Sequence, residues 1–192
     1  MPTRKFLYFG VAFALTLPLD QITKKWVVAR FAYGEQLVVI PGFFNLTHVR
    51  NPGGAFSFFA NLPEVGRQLF FLGTGVLAVV LLLVFLNRID HHERLSATAI
   101  GAVLGGAIGN LTDRIVYGEV IDFLDFRLWG GYAWPTFNLA DTWIVIGVAI
   151  LMLDMLFEPA SEPEGEAEAP AGAAESRLEP GMRTKDVGRS AP

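Results

Sequence analysis

From Leu69 to Leu86 the chain runs almost wholly apolar for about 18 residues. A run of that length and composition spans a bilayer once its flanking turns are added. Three more apolar stretches share the chain with it: Phe6 to roughly Val28, Leu95 to Leu111, and Thr142 to Phe157. Hydrophobic residues make up 52% of the sequence and charged ones 18%, a balance too apolar for an ordinary soluble domain. Hydrocarbon offers no partners to backbone N–H and C=O groups, so each span must be a helix that satisfies its own. The expectation is a membrane all-α protein of four transmembrane helices, at about 6–28, 67–87, 95–112 and 138–157. The pattern Ala12-Phe13-Ala14 looks like a leader cleavage site, but only about six apolar residues precede it, fewer than the roughly 7–15 of a signal peptide. The first run is therefore predicted to be a retained span.

Between spans one and two the pattern changes. QLVVI, a Pro41-Gly42 pair and FFNLTHVR carry β-branched and aromatic residues on either side of a turn signal, which predicts a short β-hairpin or curled sheet from Leu37 to Val49, within a β region of about 35–60. From Glu158 the composition turns to Glu, Pro, Ala and Gly with 8 acids and 4 bases, so this tail holds the whole formal charge of −4. Residues 1–157 read as one membrane domain and 158–192 as a disordered acidic tail. No basic patch remains to suggest a nucleic-acid partner. Absence of cysteine removes disulfides, thiolate metal sites and a thiol nucleophile. His91 and His92 are adjacent in a short charged loop and cannot share a helical face as ligands, so no metal or other cofactor is expected.

The polar residues at the span ends ask for an explanation. A charge in hydrocarbon costs roughly 2.5–3.5 kcal/mol on insertion scales, so ionisable groups there face a protein-lined or wet interior. Asp20 and Lys24 stand at i and i+4 and can pair as a simple span-end ion pair. Gly101, Gly105 and Gly109 form a small-residue face for close helix packing. Asn110 follows directly, with Asp113 and Arg114 as a possible local ion pair or cap. Asn51 precedes Pro52-Gly53-Gly54, either as the first residue of a tight turn or as an amide that clamps an extended peptide. Asp122 interrupts the apolar run VIDFL, where burial raises a carboxyl pKa, while Asp125 and Arg127 are expected to lie more openly. Asn138 and Asp141 open the fourth span.

With four spans, the connections after spans one and three share a membrane face with the start of span four. Asp20, Asn51, Asn110, Arg114, Asp122, Asn138 and Asp141 are then expected to converge. Two carboxylates in a partly apolar pocket can share one proton. One can take a proton from water while the other polarises a peptide carbonyl. A small transporter or proton-coupled channel is the rival use of intramembrane Asp and Asn, but it predicts internal repeats, and the two halves share no motif. A helical scaffold would leave Asp122 and Asp141 unexplained.

Taken together, DQITK (Asp20 to Lys24), NPGGAF (Asn51 to Phe56), GGAIGNLTDR (Gly105 to Arg114), VIDF (Val120 to Phe123) and FNLAD (Phe137 to Asp141) resemble the motifs of the bacterial lipoprotein signal peptidase family, signal peptidase II. The resemblance runs in order from about Phe6 to Phe157. It implies an intramembrane aspartyl protease that cuts diacylglyceryl-modified prolipoproteins just before the lipidated cysteine. It implies Asp122 and Asp141 as the catalytic pair, with Asn51, Gly53, Asn110, Arg114 and Asn138 as substrate-binding or supporting groups and Asp20 and Lys24 in the first motif. Partners so implied are lipidated prolipoproteins and membrane lipid, with a monomer in the inner membrane, both termini cytoplasmic and the site near the extracytoplasmic surface. The positive-inside count opposes that orientation, because Lys24, Lys25, Arg30, Arg50, Arg67, Arg114 and Arg127 fall on the outer side. Gly54 stands where the family more often has Ala, and the linker Asp125 to Pro135 is particular to this chain.

Overall fold

The computed structural model describes residues 4–53 and 63–157. The acidic tail and Gly54, Ala55 and Phe56 of the NPGGAF motif lie outside them. Elements run in the order α1 (Arg4–Arg30), β1 (Gln36–Ile40), β2 (Phe44–Asn51), α2 (Glu64–Arg88), α3 (Arg94–Tyr117), β3 (Val120–Phe126) and α4 (Leu139–Phe157), with a short 3-10 turn at Trp129–Gly131. All four helices are long and apolar enough to cross a membrane. Their outward faces carry Leu7, Val11, Leu15, Ile22, Leu77, Leu81, Val145 and Leu153 exposed. That is the arrangement expected when the solvent is lipid.

The buried axis is α3, which packs against the other three helices. Its glycines are the reason it fits. Gly101 meets the Phe9 carbonyl and Ala12, Gly105 meets Thr16 and Leu17, and Gly109 meets Asp20, so one stripe receives α1. A quarter-turn away Gly106 meets Ala140 and Ile144, and Gly147 of α4 meets Val103 and the Ala99 carbonyl. A Cβ at any of these positions would overlap a neighbour, so hydrogen in place of a methyl sets the helix separations.

The sheet has three antiparallel strands in the order β1-β2-β3 rather than a lone hairpin. The hairpin turns at Pro41-Gly42, where Gly42 has φ 73°. The third strand arrives from between α3 and α4: Gly118, left-handed with φ 76°, caps α3 by donating its N–H to the Arg114 carbonyl at 3.1 Å, and the chain then turns into β3. Register pairs Val49 with Asp122 and Asn51 with Val120. Asn51 and Asp122 are thus diagonal neighbours on one face, within side-chain reach. Asp125 is not open, as the sequence suggested, but 3% exposed, and accepts hydrogen bonds from Gln36 (2.6 Å), Asn45 (2.9 Å) and Arg127 (3.1 Å). The strand's apolar run hides this, because β3 is covered on both faces.

Candidate active site

α4 begins with a reciprocal cap. The Asn138 Oδ1 accepts the backbone N–H of Asp141 at 3.0 Å, and the Asp141 Oδ2 accepts the backbone N–H of Asn138 at 3.3 Å. This is the capping-box pattern with Asn at the cap and Asp three residues on. It holds the Asp141 carboxylate in the first helical turn, where the helix dipole favours a negative charge. Between them the N–H of Ala140 donates to Asp20 Oδ1 of α1 at 2.9 Å.

Around this cap the predicted residues converge. Asn138, fully buried, donates from Nδ2 to Asp122 Oδ1 at 2.7 Å and to Asn110 Oδ1 at 3.2 Å. Asn110 donates from its own Nδ2 to Asp141 Oδ1 at 2.8 Å. Asn51 donates to Asp122 Oδ2 at 3.0 Å and accepts the Gly53 N–H at 3.1 Å. Asn138 therefore donates to both aspartates, from its side chain to Asp122 and from its backbone to Asp141, and its link to Asn110 joins the remaining Asp141 donor to the same network. Burial first, and then the charge of Asp141, push the Asp122 carboxyl up from its ordinary 3.8 to about 7, against the opposing effect of the Asn51 and Asn138 amides.

Both carboxylates line a cavity of about 820 Å³ with Asn51, Asn110, Arg114, Trp134, Pro135, Val145 and Ile146 also on its wall. The Arg114 guanidinium faces both aspartates, lies 4.9 Å from the Phe71 ring centre, and donates to the Asn110 carbonyl at 3.2 Å. One wall is acid and amide, and on the α4 side the aliphatic Val145 and Ile146 are exposed. Such a cleft can hold an extended chain beside the two carboxylates, with apolar substituents against the aliphatic side.

Three predicted residues stand behind the wall. Gly53 is buried against Arg67, whose Cδ lies 3.0 Å from where a Cβ would be. Asp20 and Lys24 form their expected ion pair at 2.9 Å, but as part of a larger cluster: Lys24 also meets Asp113 at 2.8 Å and donates to Asn110 Oδ1 at 2.7 Å. The local Asp113–Arg114 pair is not formed. Asp113 instead accepts the Ile121 N–H at 3.2 Å and the Gln21 amide at 3.1 Å. Sequence reading missed Asp113 and Gln21 as members of this cluster. Their only signal was position, Asp113 one turn beyond Asn110 and Gln21 beside Asp20. Among the described residues no group of three or more His, Asp or Glu side chains is spaced to hold a metal.

The chain is similar to known proteins in sequence and in fold. A family model described as signal peptidase (SPase) II matches residues 12–157. A lipoprotein signal peptidase of Syntrophus aciditrophicus (strain SB) is 46% identical over 153 residues, covering 80% of this chain and 94% of that protein. One of Ralstonia nicotianae (strain ATCC BAA-1114 / GMI1000) is 47% identical over 151 residues, covering 79% and 83%. A bacterial membrane enzyme structure solved by the in meso method at 1.9 Å resolution superposes with a TM-score of 0.70 at 30% identity, covering 79% of this chain and 94% of that one.

Proposed function

The chain belongs to the signal peptidase II family, and so is a membrane protease that removes signal peptides from prolipoproteins; on that premise we propose that its hydrolysis is carried by Asp122 and Asp141 acting as one proton-sharing pair. The observation that supports this is the shared harness: two carboxylates on one cavity wall, tied together by the amides of Asn110 and Asn138.

The chemistry balances with a single proton on the pair. The ionised aspartate takes a proton from water as the hydroxyl oxygen adds to the scissile carbonyl carbon. The protonated aspartate gives its proton to the carbonyl oxygen, leaving a tetrahedral diol. In the second half the first aspartate returns its proton to the amide nitrogen, the C–N bond breaks, and the other recovers a proton from a diol hydroxyl. The products are a carboxylic acid and an amine, and the pair ends as it began.

The substrate is a diacylglyceryl-modified prolipoprotein, cut just before the lipidated cysteine. The aliphatic α4 side of the cavity, Val145 and Ile146, suits acyl chains that never leave the bilayer. The catalytic unit is residues 1–157, with Asn51, Arg114 and the Gly53 turn holding the peptide. Both termini are cytoplasmic and the cavity opens near the extracytoplasmic surface. Part of the opposing charge count is accounted for by Lys24 and Arg127, which are ion-paired, and by Arg114, which lines the cavity.

The test is cleavage of a diacylglyceryl prolipoprotein by purified protein in detergent or lipid, wild type beside Asp122→Asn and Asp141→Asn. Wild type shortens the substrate, and both folded variants lose at least about 1,000-fold in kcat. Persisting cleavage by either folded variant overturns the two-aspartate mechanism.

A further inference from the structure

Lys24 is the largest of the fully buried side chains, at 1% exposure. An ammonium has three protons to donate and no capacity to accept. All three are committed, to Asp20 Oδ2 at 2.9 Å, Asp113 Oδ2 at 2.8 Å and Asn110 Oδ1 at 2.7 Å. A buried charge with this many contacts is costly to install. Where its partners lead is therefore informative.

The two carboxylates lead to the two backbone segments that carry Asp141 and Asp122, the first turn of α4 and β3. Asp20 accepts the N–H of Ala140, the residue before Asp141, at 2.9 Å. Asp113 accepts the N–H of Ile121, the residue before Asp122, at 3.2 Å. One cation thus anchors, through one acid each, the backbone immediately upstream of both aspartates. The third contact works on a side chain. Because Lys24 only donates, it holds the oxygen end of the Asn110 amide at 2.7 Å, closer than the second donor there, Asn138 Nδ2 at 3.2 Å, and the NH2 end is left facing Asp141 Oδ1 at 2.8 Å. Were the amide reversed, Asp141 would meet an oxygen and its ionised form would lose a donor.

We propose that Lys24 is the positioning residue of the aspartate pair: through Asn110 it keeps a donor on Asp141, and Asp141 is thereby the member that takes the proton from water. This rests on the two-aspartate reading above and assigns the roles within it. Asp141 sits in the first turn of α4, accepts from Asn110 and the Asn138 N–H, and is partly open to the cavity. Asp122 sits on a strand with 1% exposure and no helix dipole, so the shared proton stays there. The charged groups facing Asp141 belong to α3 and β3, namely Arg114 and Asp122, with Lys24 and Asp20 of α1 one shell behind. Of these, Lys24 reaches Asp141 through the Asn110 amide, whose oxygen it shares with Asn138 Nδ2.

The experiment is a double-mutant cycle in kcat between Lys24→Met and Asn110→Ala, with the pH profile of kcat/KM on a diacylglyceryl prolipoprotein. Lys24→Met lowers kcat at least about 100-fold, changes KM less than about threefold, and moves the acidic limb to higher pH. In the Asn110→Ala background it costs less than it does in wild type, because the Asn110 path is gone and only the paths through Asp20 and Asp113 remain. Lys24→Met leaves Asp20 and Asp113 facing each other, so the charge-matched Lys24→Met/Asp113→Asn protein carries the same expectations where the single variant does not fold. A folded variant of either kind with wild-type kcat and an unmoved acidic limb overturns the proposal, and so do fully additive losses. Asp122→Asn and Asp141→Asn are run beside it. Cleavage surviving in those two refutes the pair itself, whereas a fast Lys24 variant beside two dead aspartate variants refutes only the positioning role.

Discussion

Asp122 and Asp125 stand three residues apart on β3 and face opposite sides of the sheet, so one strand delivers one carboxylate to the cavity and the other to the hairpin. Alternation of side chains along a strand requires this separation of faces. Asp122 meets Asn51 and Asn138, and Asp125 meets Gln36 of β1 and Asn45 of β2. β3 is thereby clamped to Asn51 and Asn138 at the cavity on one side and to both strands of the hairpin on the other.

Asp125→Ala leaves the Gln36 and Asn45 amides without their acceptor. The expected cost is about 1–3 kcal/mol of stability, the desolvation of buried donors left unmade. The pair itself is untouched, so KM rises more than kcat falls. Hydrogen exchange across Gln36–Thr47 together with steady-state kinetics checks this, and an unchanged exchange pattern would show that the clamp does not hold the hairpin.

The raised Asp122 carboxyl sets two pH dependences. If the proposed pair carries hydrolysis, cleavage needs that proton, and because burial and the Asp141 charge push the carboxyl up to about 7, kcat/KM is expected to fall as pH rises through that region. Stability moves in the same direction. The folded-state value lies above the ordinary 3.8, so the folded protein holds a proton that the unfolded chain has released. The contribution is complete at pH below the ordinary value and is lost progressively as pH rises toward about 7, by at most a few kcal/mol. Asp122→Asn lacks this component. Thermal unfolding across that window should slope downward in wild type relative to Asp122→Asn, and parallel curves would contradict a protonated, buried Asp122.

The four spans were legible because a bilayer demands long apolar runs, and the chain has four. The glycine stripe was legible as a packing face, since Gly101, Gly105 and Gly109 recur every fourth residue, though not which helix it receives. β3 was not legible. VIDFLDF is buried on both faces, so its polar residues do not alternate with apolar ones, and its two acids read as one interruption and one surface group. Nor could the sequence pair Asp113 with Lys24, because proximity in the chain favoured Arg114 and only the α1–α3 contact reverses that choice.

Gly105→Ala tests that contact. The added methyl would run into Thr16, with the Leu17 nitrogen 3.1 Å away, and backbone cannot step aside as a flexible side chain does. Overpacking of this kind costs about 1–3 kcal/mol. Gly73 of α2 has nothing within 4 Å of its added methyl, so Gly73→Ala should be neutral or gain up to about 1 kcal/mol from helix propensity. Equal thermal shifts for the two variants in one detergent would refute the α1–α3 account.

Asp20→Ala removes the acceptor of the Ala140 N–H and one of the two acids that hold Lys24. The lost cap alone is worth about 1 kcal/mol. The larger effect falls on catalysis, because Asp141 lies in the turn that the cap fixes. Misplacing a reacting group by about an ångström costs on the order of 100-fold in rate. The expected signature is faster hydrogen exchange at residues 139–142 with a kcat loss of about 10- to 100-fold and KM little changed. Asp20→Asn keeps an oxygen for Ala140 while giving up the charge that faces Lys24, so it should recover the exchange protection but only part of the rate. If Asp20→Asn restores both, the Asp20 charge is dispensable and only the cap matters; if it restores neither, the link from Asp20 to Ala140 is not what holds Asp141 in place.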